Sequence, residues 1–298
     1  MLQRIIITIL VILLLLAVFY ARLSSKPVPE EIQYGMSFNT LYAEELGLDW
    51  KETYLAILND LGVKHFRLAA HWNLIESEKD KFNFEELDFQ VDEANKVGAD
   101  VIFAIGRRLP RWPECHVPSW AIDYGWEDQK EEIREYIRAT INHFKDRDNI
   151  VYWQVENEPF LDVFAHEHCG DLDVDFLDEE IALVRELDPS RPILVTDSGN
   201  IGTWSGAYKR GDAFGTSVYL YLWNPEIGPF KSFLPASFYR FKEGLVRSFY
   251  GRKETILIEL AAEPWLLEPI IETSKSTQLE RMSPEKLKEI LEYAKDTR

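Results

Sequence analysis

The sequence predicts an α/β barrel of parallel strands, and three observations carry that prediction. From residue 31 onward, apolar strand-like runs alternate with amphipathic helical segments, the pattern of repeated strand–helix–strand units. The run Ile150-Val151-Tyr152-Trp153-Gln154-Val155 is apolar almost throughout, as a strand buried on both faces requires. It leads into Asn157-Glu158-Pro159, and a second run, Thr255-Ile256-Leu257-Ile258, leads into Glu259. A parallel barrel gathers its chemistry at the C-terminal ends of its strands.

The elements follow in order. Residues 32–38 read as a first strand. Asp49 caps a helix, with Glu52 at the capping-box position and Gly62 just past the end. Tyr54, Leu55, Leu58 and Leu61 form its apolar stripe. Residues 64–69 are a second strand, 85–97 a helix, and 100–105 a third strand. Residues 127–144 form a long helix with Ile133, Ile137, Ile141 and Phe144 on one face. After the fourth strand come a helix over 175–187 ended by Pro189, a fifth strand over 192–196 and a sixth over 213–219. A helix over 235–250, a seventh strand over 255–259 and a helix opened by Ser283 and Pro284 complete the chain. Seven strands fall one short of the eight of a (β/α)8 TIM barrel. The expectation is a TIM barrel lacking its eighth strand at the C-terminus, in a sequence cut short.

The N-terminus carries a different signal. Ile5 to Ala21 is apolar apart from Thr8, with Arg4 before it and Arg22 after it. Such a run sits at the short limit of a membrane span. The bulky Phe19-Tyr20 where a cleavage site wants small residues favours an uncleaved transmembrane anchor over a signal peptide. The expected organisation is an anchor over 1–22, a Pro- and Ser-rich linker over 23–30 and one catalytic domain over 31–298. That domain would lie outside the cytoplasm, held at the cell membrane by a single pass or else secreted. A formal net charge of −18 argues against a nucleic-acid partner, since phosphate binding needs a basic surface. In an exported protein the two cysteines, Cys115 and Cys169, predict one disulfide stapling two loops at the strand ends. Free thiols, or a metal site joining Cys115-His116 to His166-Glu167-His168-Cys169, are the alternatives, although that spacing is not a standard one for zinc.

Glu158 and Glu259 are 101 residues apart (259 − 158). At roughly 31 residues per strand–helix unit that is about three units, which places the two carboxyls across the mouth of a barrel. Paired carboxyls are what glycosidic cleavage needs: one protonates the leaving oxygen and the other attacks or activates water. A guanidinium beside Glu259 would favour its charged form, and poor solvation of Glu158 would keep it protonated. Glu263 competes with Glu259 but lies in the loop beyond the strand. Glu156 reads as structural.

These residues carry a resemblance. Trp153-Gln154-Val155-Glu156-Asn157-Glu158-Pro159 resembles the strand-four motif of the clan A glycoside hydrolases, the cellulase-like family five among them. Ile256-Leu257-Ile258-Glu259 resembles their strand seven, Phe66-Arg67-Leu68 their strand two and Phe214 to Tyr219 their strand six. The resemblance implies a retaining β-glycosidase, with Glu158 as acid/base, Glu259 as nucleophile and Asn157 on the sugar 2-hydroxyl. It also implies Arg67 and Tyr219 as contacts of the nucleophile, with Tyr221 the competitor of Tyr219. His71 and Trp72, after the second strand, and Trp265, after the seventh, are further site candidates. Of the other tryptophans, two or three are expected to line a glycan cleft and the rest to pack. The expected partner is a β-linked oligo- or polysaccharide, with neither metal nor organic cofactor. A non-catalytic glycan-binding pseudoenzyme and a transglycosylase remodelling cell-envelope glycan are the alternatives.

Overall fold

The computed structural model describes residues 2–24, 31–224 and 226–297. The chain opens with α1 (Leu2–Ser24), then β1 (Met36–Ser37), α2 (Thr40–Glu45), α3 (Trp50–Asn59) and β2 (His65–Ala69). Next come α4 (Trp72–Ile75), α5 (Glu85–Lys96), β3 (Asp100–Ile105), α6 (Trp126–Phe144), β4 (Ile150–Val155), α7 (Asp162–Cys169) and α8 (Val174–Leu187). They lead to β5 (Ile193–Asp197), α9 (Ser205–Tyr208), β6 (Ala213–Val218) and the hairpin β7 (Tyr221–Asn224) and β8 (Gly228–Lys231). Last are α10 (Ala236–Tyr250), β9 (Thr255–Leu260), α11 (Lys275–Arg281) and α12 (Pro284–Lys295). The expected linker falls mostly on residues 25–30, outside the described residues, while Leu23 and Ser24 are the last turn of α1.

Seven strands form one parallel sheet in the order β1-β2-β3-β4-β5-β6-β9, curled into a nearly closed barrel. Every neighbour in the order is also the next barrel strand in sequence, as repeated right-handed crossovers produce. Among the described residues no eighth strand pairs with β1 and β9. The consequence is visible in burial: all six residues of β9 are half-buried, whereas β5 and β6 are buried throughout. The apolar core lies between sheet and helices, with Phe103, Trp153, Phe214, Tyr136, Ile141 and Phe144 among its closed members.

Local chemistry explains most boundaries. The Asp49 carboxylate accepts the Glu52 N–H at 2.9 Å to open α3, and Ser283 accepts the Lys286 N–H at 3.3 Å to open α12 with Pro284 at its first position. Two expectations are corrected. Within 32–38 only Met36 and Ser37 pair, because the strand has a partner on one side alone. Leu61 does not complete the stripe of α3: it lies beyond the helix at 68 % exposure, and Trp50, Tyr54, Ile57 and Leu58 make the buried face.

Candidate active site

The turn after β4 sets the site. Glu156 and Glu158 both adopt left-handed backbone, with φ of 57° and 45°. Non-glycine residues hold that conformation only where surrounding contacts impose it. Here the Glu156 N–H donates to Ile105 O at 2.9 Å, that of Asn157 to Arg108 O at 2.7 Å, and that of Glu158 to Thr196 Oγ1 at 2.8 Å. The Glu156 carboxylate accepts the backbone N–H groups of Arg107 and Arg108 at 2.7 and 2.6 Å, so it fastens the β3 loop to the β4 turn. Burial pushes Glu156 upward, and the buried Glu180 carboxyl of α8, pushed well above its ordinary value by burial and by Glu156, bonds to it. The alternation of left-handed residues aims Glu158 into the mouth.

Arg67 is the hub. From β2 its guanidinium donates to Glu259 Oε1 at 2.5 Å, to Asn157 Oδ1 at 2.6 Å and to Gln154 Oε1 at 2.8 Å. One rigid fork thereby ties together the ends of β2, β4 and β9. The second Glu259 oxygen accepts the Tyr219 hydroxyl at 3.0 Å. Tyr221, its competitor, points elsewhere and donates to Glu289 of α12. Ser217 is the link that sequence reading missed. It sits in register with Glu259 across β6 and β9, and its Oγ donates to Glu158 Oε1 at 2.6 Å. Ser217 therefore brings the two glutamates to either side of one strand end.

Electrostatics separate the groups. Glu158 is 6 % exposed; burial first, then the charge of Glu259, push its carboxyl up to about 8, against the opposing Ser217 bond. Tyr219 is pushed well above its ordinary value, chiefly by the Glu259 charge and then by burial, which leaves it a neutral donor. Glu263, beside Arg111, is pushed up by burial. Glu114 is also present, paired to Arg108 at 2.7 Å and raised by burial.

The remaining candidates separate into two groups. Trp265 lies at the mouth, its ring centroid 6.1 Å from that of Tyr219 and its indole N–H on Tyr221 O at 3.1 Å. His71 lies below the β3 loop, 3.0 Å from Pro110 O and 4.2 Å from the His116 ring; burial lowers it to about 3, so it is neutral. Trp72 is a correction. It is fully buried, its N–H bonded to Glu76 and its ring packed on Trp120 and Tyr136, so no sugar reaches it. Cys115 and Cys169 are joined in a disulfide with Cα atoms 5.5 Å apart, which takes their thiols out of any metal site and staples the β3 loop to the end of α7. Trp112, on that stapled loop, is 56 % exposed and packs edge-on against His168.

The class defined here is a parallel α/β barrel that carries a carboxyl–arginine–tyrosine cluster at the C-terminal ends of its strands. The family Cellulase (glycosyl hydrolase family 5) matches residues 26–225, two thirds of the sequence, and the chain belongs to that family. The matched stretch holds Arg67, Asn157, Glu158, Ser217 and Tyr219 and stops before Glu259. No match was found among the curated proteins. Among solved structures the fold is similar to a GH5_18 protein from Bifidobacterium longum subsp. longum in complex with Manb1-4GlcNAc (TM-score 0.58, 14% identity, covering 89% of this chain and 66% of that one). It is also similar to a beta-galactosidase from the psychrophilic Marinomonas ef1 (TM-score 0.56, 13% identity, 80% and 50%) and to a GH5_18 protein from Streptomyces cattleya (TM-score 0.50, 16% identity, 63% and 51%). The chain spans about half the length of several of these structures.

Proposed function

We propose that the protein is a retaining β-glycosidase that works by double displacement with Glu158 and Glu259. The observation that carries this reading is the opposite treatment of the two carboxyls. Glu158 is buried and held protonated at neutral pH, as a proton donor must be. Glu259 accepts hydrogen bonds from the Arg67 guanidinium and the Tyr219 hydroxyl, which fix both of its oxygens in place.

In the first step a Glu259 oxygen forms a bond to the anomeric carbon while the glycosidic C–O bond breaks and Glu158 gives its proton to the leaving oxygen. Glu158, now anionic, takes a proton from water, whose oxygen attacks the same carbon; the bond to Glu259 breaks and both carboxyls return to their starting states. Asn157, whose Oδ1 accepts the Arg67 guanidinium, keeps its amide N–H groups for the sugar 2-hydroxyl in this reading. Residues 1–22 act as a membrane anchor and 31–298 as the catalytic domain; the apolar helix Arg4–Ser24, whose side chains from Ile5 to Val18 are exposed, supports that division.

The test is turnover of a fluorogenic panel of β-glucosides, β-galactosides and β-mannosides, together with Manb1-4GlcNAc, the ligand of one structural neighbour. The expected result is release of sugar with the β configuration, observed by NMR before mutarotation, and its loss in Glu259→Ala. Turnover that survives this substitution, or release of the α anomer first, contradicts the proposal. Binding without turnover by the unaltered chain would favour the glycan-binding reading instead.

A further inference from the structure

The direction of α1 fixes which end of the barrel looks toward a membrane. Helix α10 crosses from β6 to β9, two parallel strands, so it runs against them and starts at the mouth. Its contacts agree. Midway along it, Lys242 Nζ donates to Gly199 O at 2.8 Å and Gly202 O at 2.6 Å, in the loop beyond the C-terminal end of β5. At its far end, Tyr250 packs on Tyr208, whose hydroxyl reaches Gly251 O at 2.9 Å just ahead of β9.

The last turns of α1 lie on α10 and run parallel to it. Tyr20 meets Ser237 at 2.8 Å, and Phe19 and Tyr20 pack on the Phe241 ring at 6.3 and 5.0 Å. One turn further along both helices, Leu23 lies against Gly244, while the long Arg240 side chain reaches forward to donate to Ser24 O at 2.5 Å. Numbers rise together, so the apolar stretch before Phe19 leaves past the start of α10, on the mouth side.

Length then sets the distance. Ile5 to Val18, the apolar part ahead of Phe19, is 14 residues (18 − 5 + 1). At 1.5 Å per residue it spans about 21 Å, short of a hydrocarbon layer of about 30 Å. Crossing the layer therefore draws in Phe19 and Tyr20, residue types that settle at the interface, and brings the rim of the barrel down to the headgroups with them. That rim carries exposed apolar side chains on its loops: Phe233 at 90 %, four residues ahead of Ser237, Ile227 at 69 % in the β7–β8 turn, and Leu267 and Ile271 beyond β9 at 75 % and 67 %.

We infer that the mouth of the barrel faces the bilayer that α1 enters, with Phe233 and Ile227 in the headgroup layer, and that the glycan it takes is one linked to a membrane lipid. The substrate part rests on the glycosidase reading; the orientation rests on α1 alone. A net charge of −18 means that contact is driven by apolar side chains and the anchor, not by attraction to anionic lipid.

The experiment uses the full chain reconstituted in phosphatidylcholine vesicles. Phe233→Cys and, at the opposite end of α10, Phe249→Cys each receive an environment-sensitive fluorophore. Doxyl-labelled phosphatidylcholine is expected to quench the label at 233 and to spare that at 249; quenching at 249 alone, at both equally or at neither overturns the orientation. On the same vesicles, a β-glycoside carried on dioleoylglycerol is expected to show a kcat/KM about 100-fold above the same glycoside on water-soluble glycerol, a leaving group of like acidity, because co-anchoring raises its effective concentration. Equal values overturn the substrate assignment. Absence of turnover on both refutes the glycosidase reading and leaves the quenching result to decide the orientation.

Discussion

Replacing Glu158 by Gln separates proton donation from shape. The amide keeps an oxygen to accept the Ser217 hydroxyl, and its backbone N–H keeps Thr196. What disappears is a carboxyl that ionises near 4.5 in the unfolded chain and near 8 in the folded one. Between those values the folded state binds more protons than the unfolded state, so wild-type stability falls as pH rises through that window. The full difference of 3.5 units (8 − 4.5) is a ceiling of about 5 kcal/mol. Because the Glu259 charge supplies part of it, about half is expected from the burial of Glu158 itself. Thermal unfolding of wild type and Glu158→Gln across pH 4.5 to 9 is the assay. The variant should match wild type near the acid end and exceed it increasingly toward pH 8, while kcat/KM for substrates with poor leaving groups drops about 10²–10⁴-fold. The basic limb of the wild-type profile, set by loss of the donor proton near pH 8, should vanish with it. A variant less stable than wild type at every pH, or a gain that is flat with pH, would refute the claim that burial holds Glu158 protonated.

Three further outcomes follow from the same geometry. Arg67→Lys keeps the charge but breaks the three-way fork to Glu259, Asn157 and Gln154; stability should fall by about 3–5 kcal/mol in thermal or denaturant unfolding, with kcat/KM reduced more than KM is raised. Ser217→Ala removes the hydroxyl bond that favours the charged form of Glu158, so the basic limb of the pH–rate profile should move upward, and a downward or absent shift counts against it. Reduction of Cys115–Cys169, separated by 54 residues, should cost about 4 kcal/mol by loop entropy, read as a fall in melting temperature under dithiothreitol.

The inner strands were legible because strands buried on both faces must be apolar, so that 100–105 and 150–155 read directly and 213–219 overran its strand by one residue. Strand ends carrying glutamate were legible for the same reason: a charged residue closing an apolar run is conspicuous. The first strand was over-extended because sequence carries no sign that its outer edge goes unpaired. The hairpin 221–231 gives no clear signal, since each arm has only four residues and the second, Gly228-Pro229-Phe230-Lys231, contains Gly and Pro. Trp72 was misplaced because a tryptophan beside a strand end reads alike whether it turns to the mouth or beneath the helices. Ser217 and Gln154 carried a signal that went unused. A polar residue inside an otherwise apolar buried strand must find a partner, and theirs are Glu158 and Arg67.

The central claim is that Glu259 makes the covalent bond to sugar. A 2-deoxy-2-fluoro-β-glycoside with a good leaving group slows breakdown of the glycosyl-enzyme and traps it for peptide mass analysis. One added fluoroglycosyl mass is expected on the peptide holding Ile256 to Ala262, localised to Glu259. Label on Glu263, Glu114 or Glu158, or no label in a protein that turns over the parent β-glycoside, would contradict it.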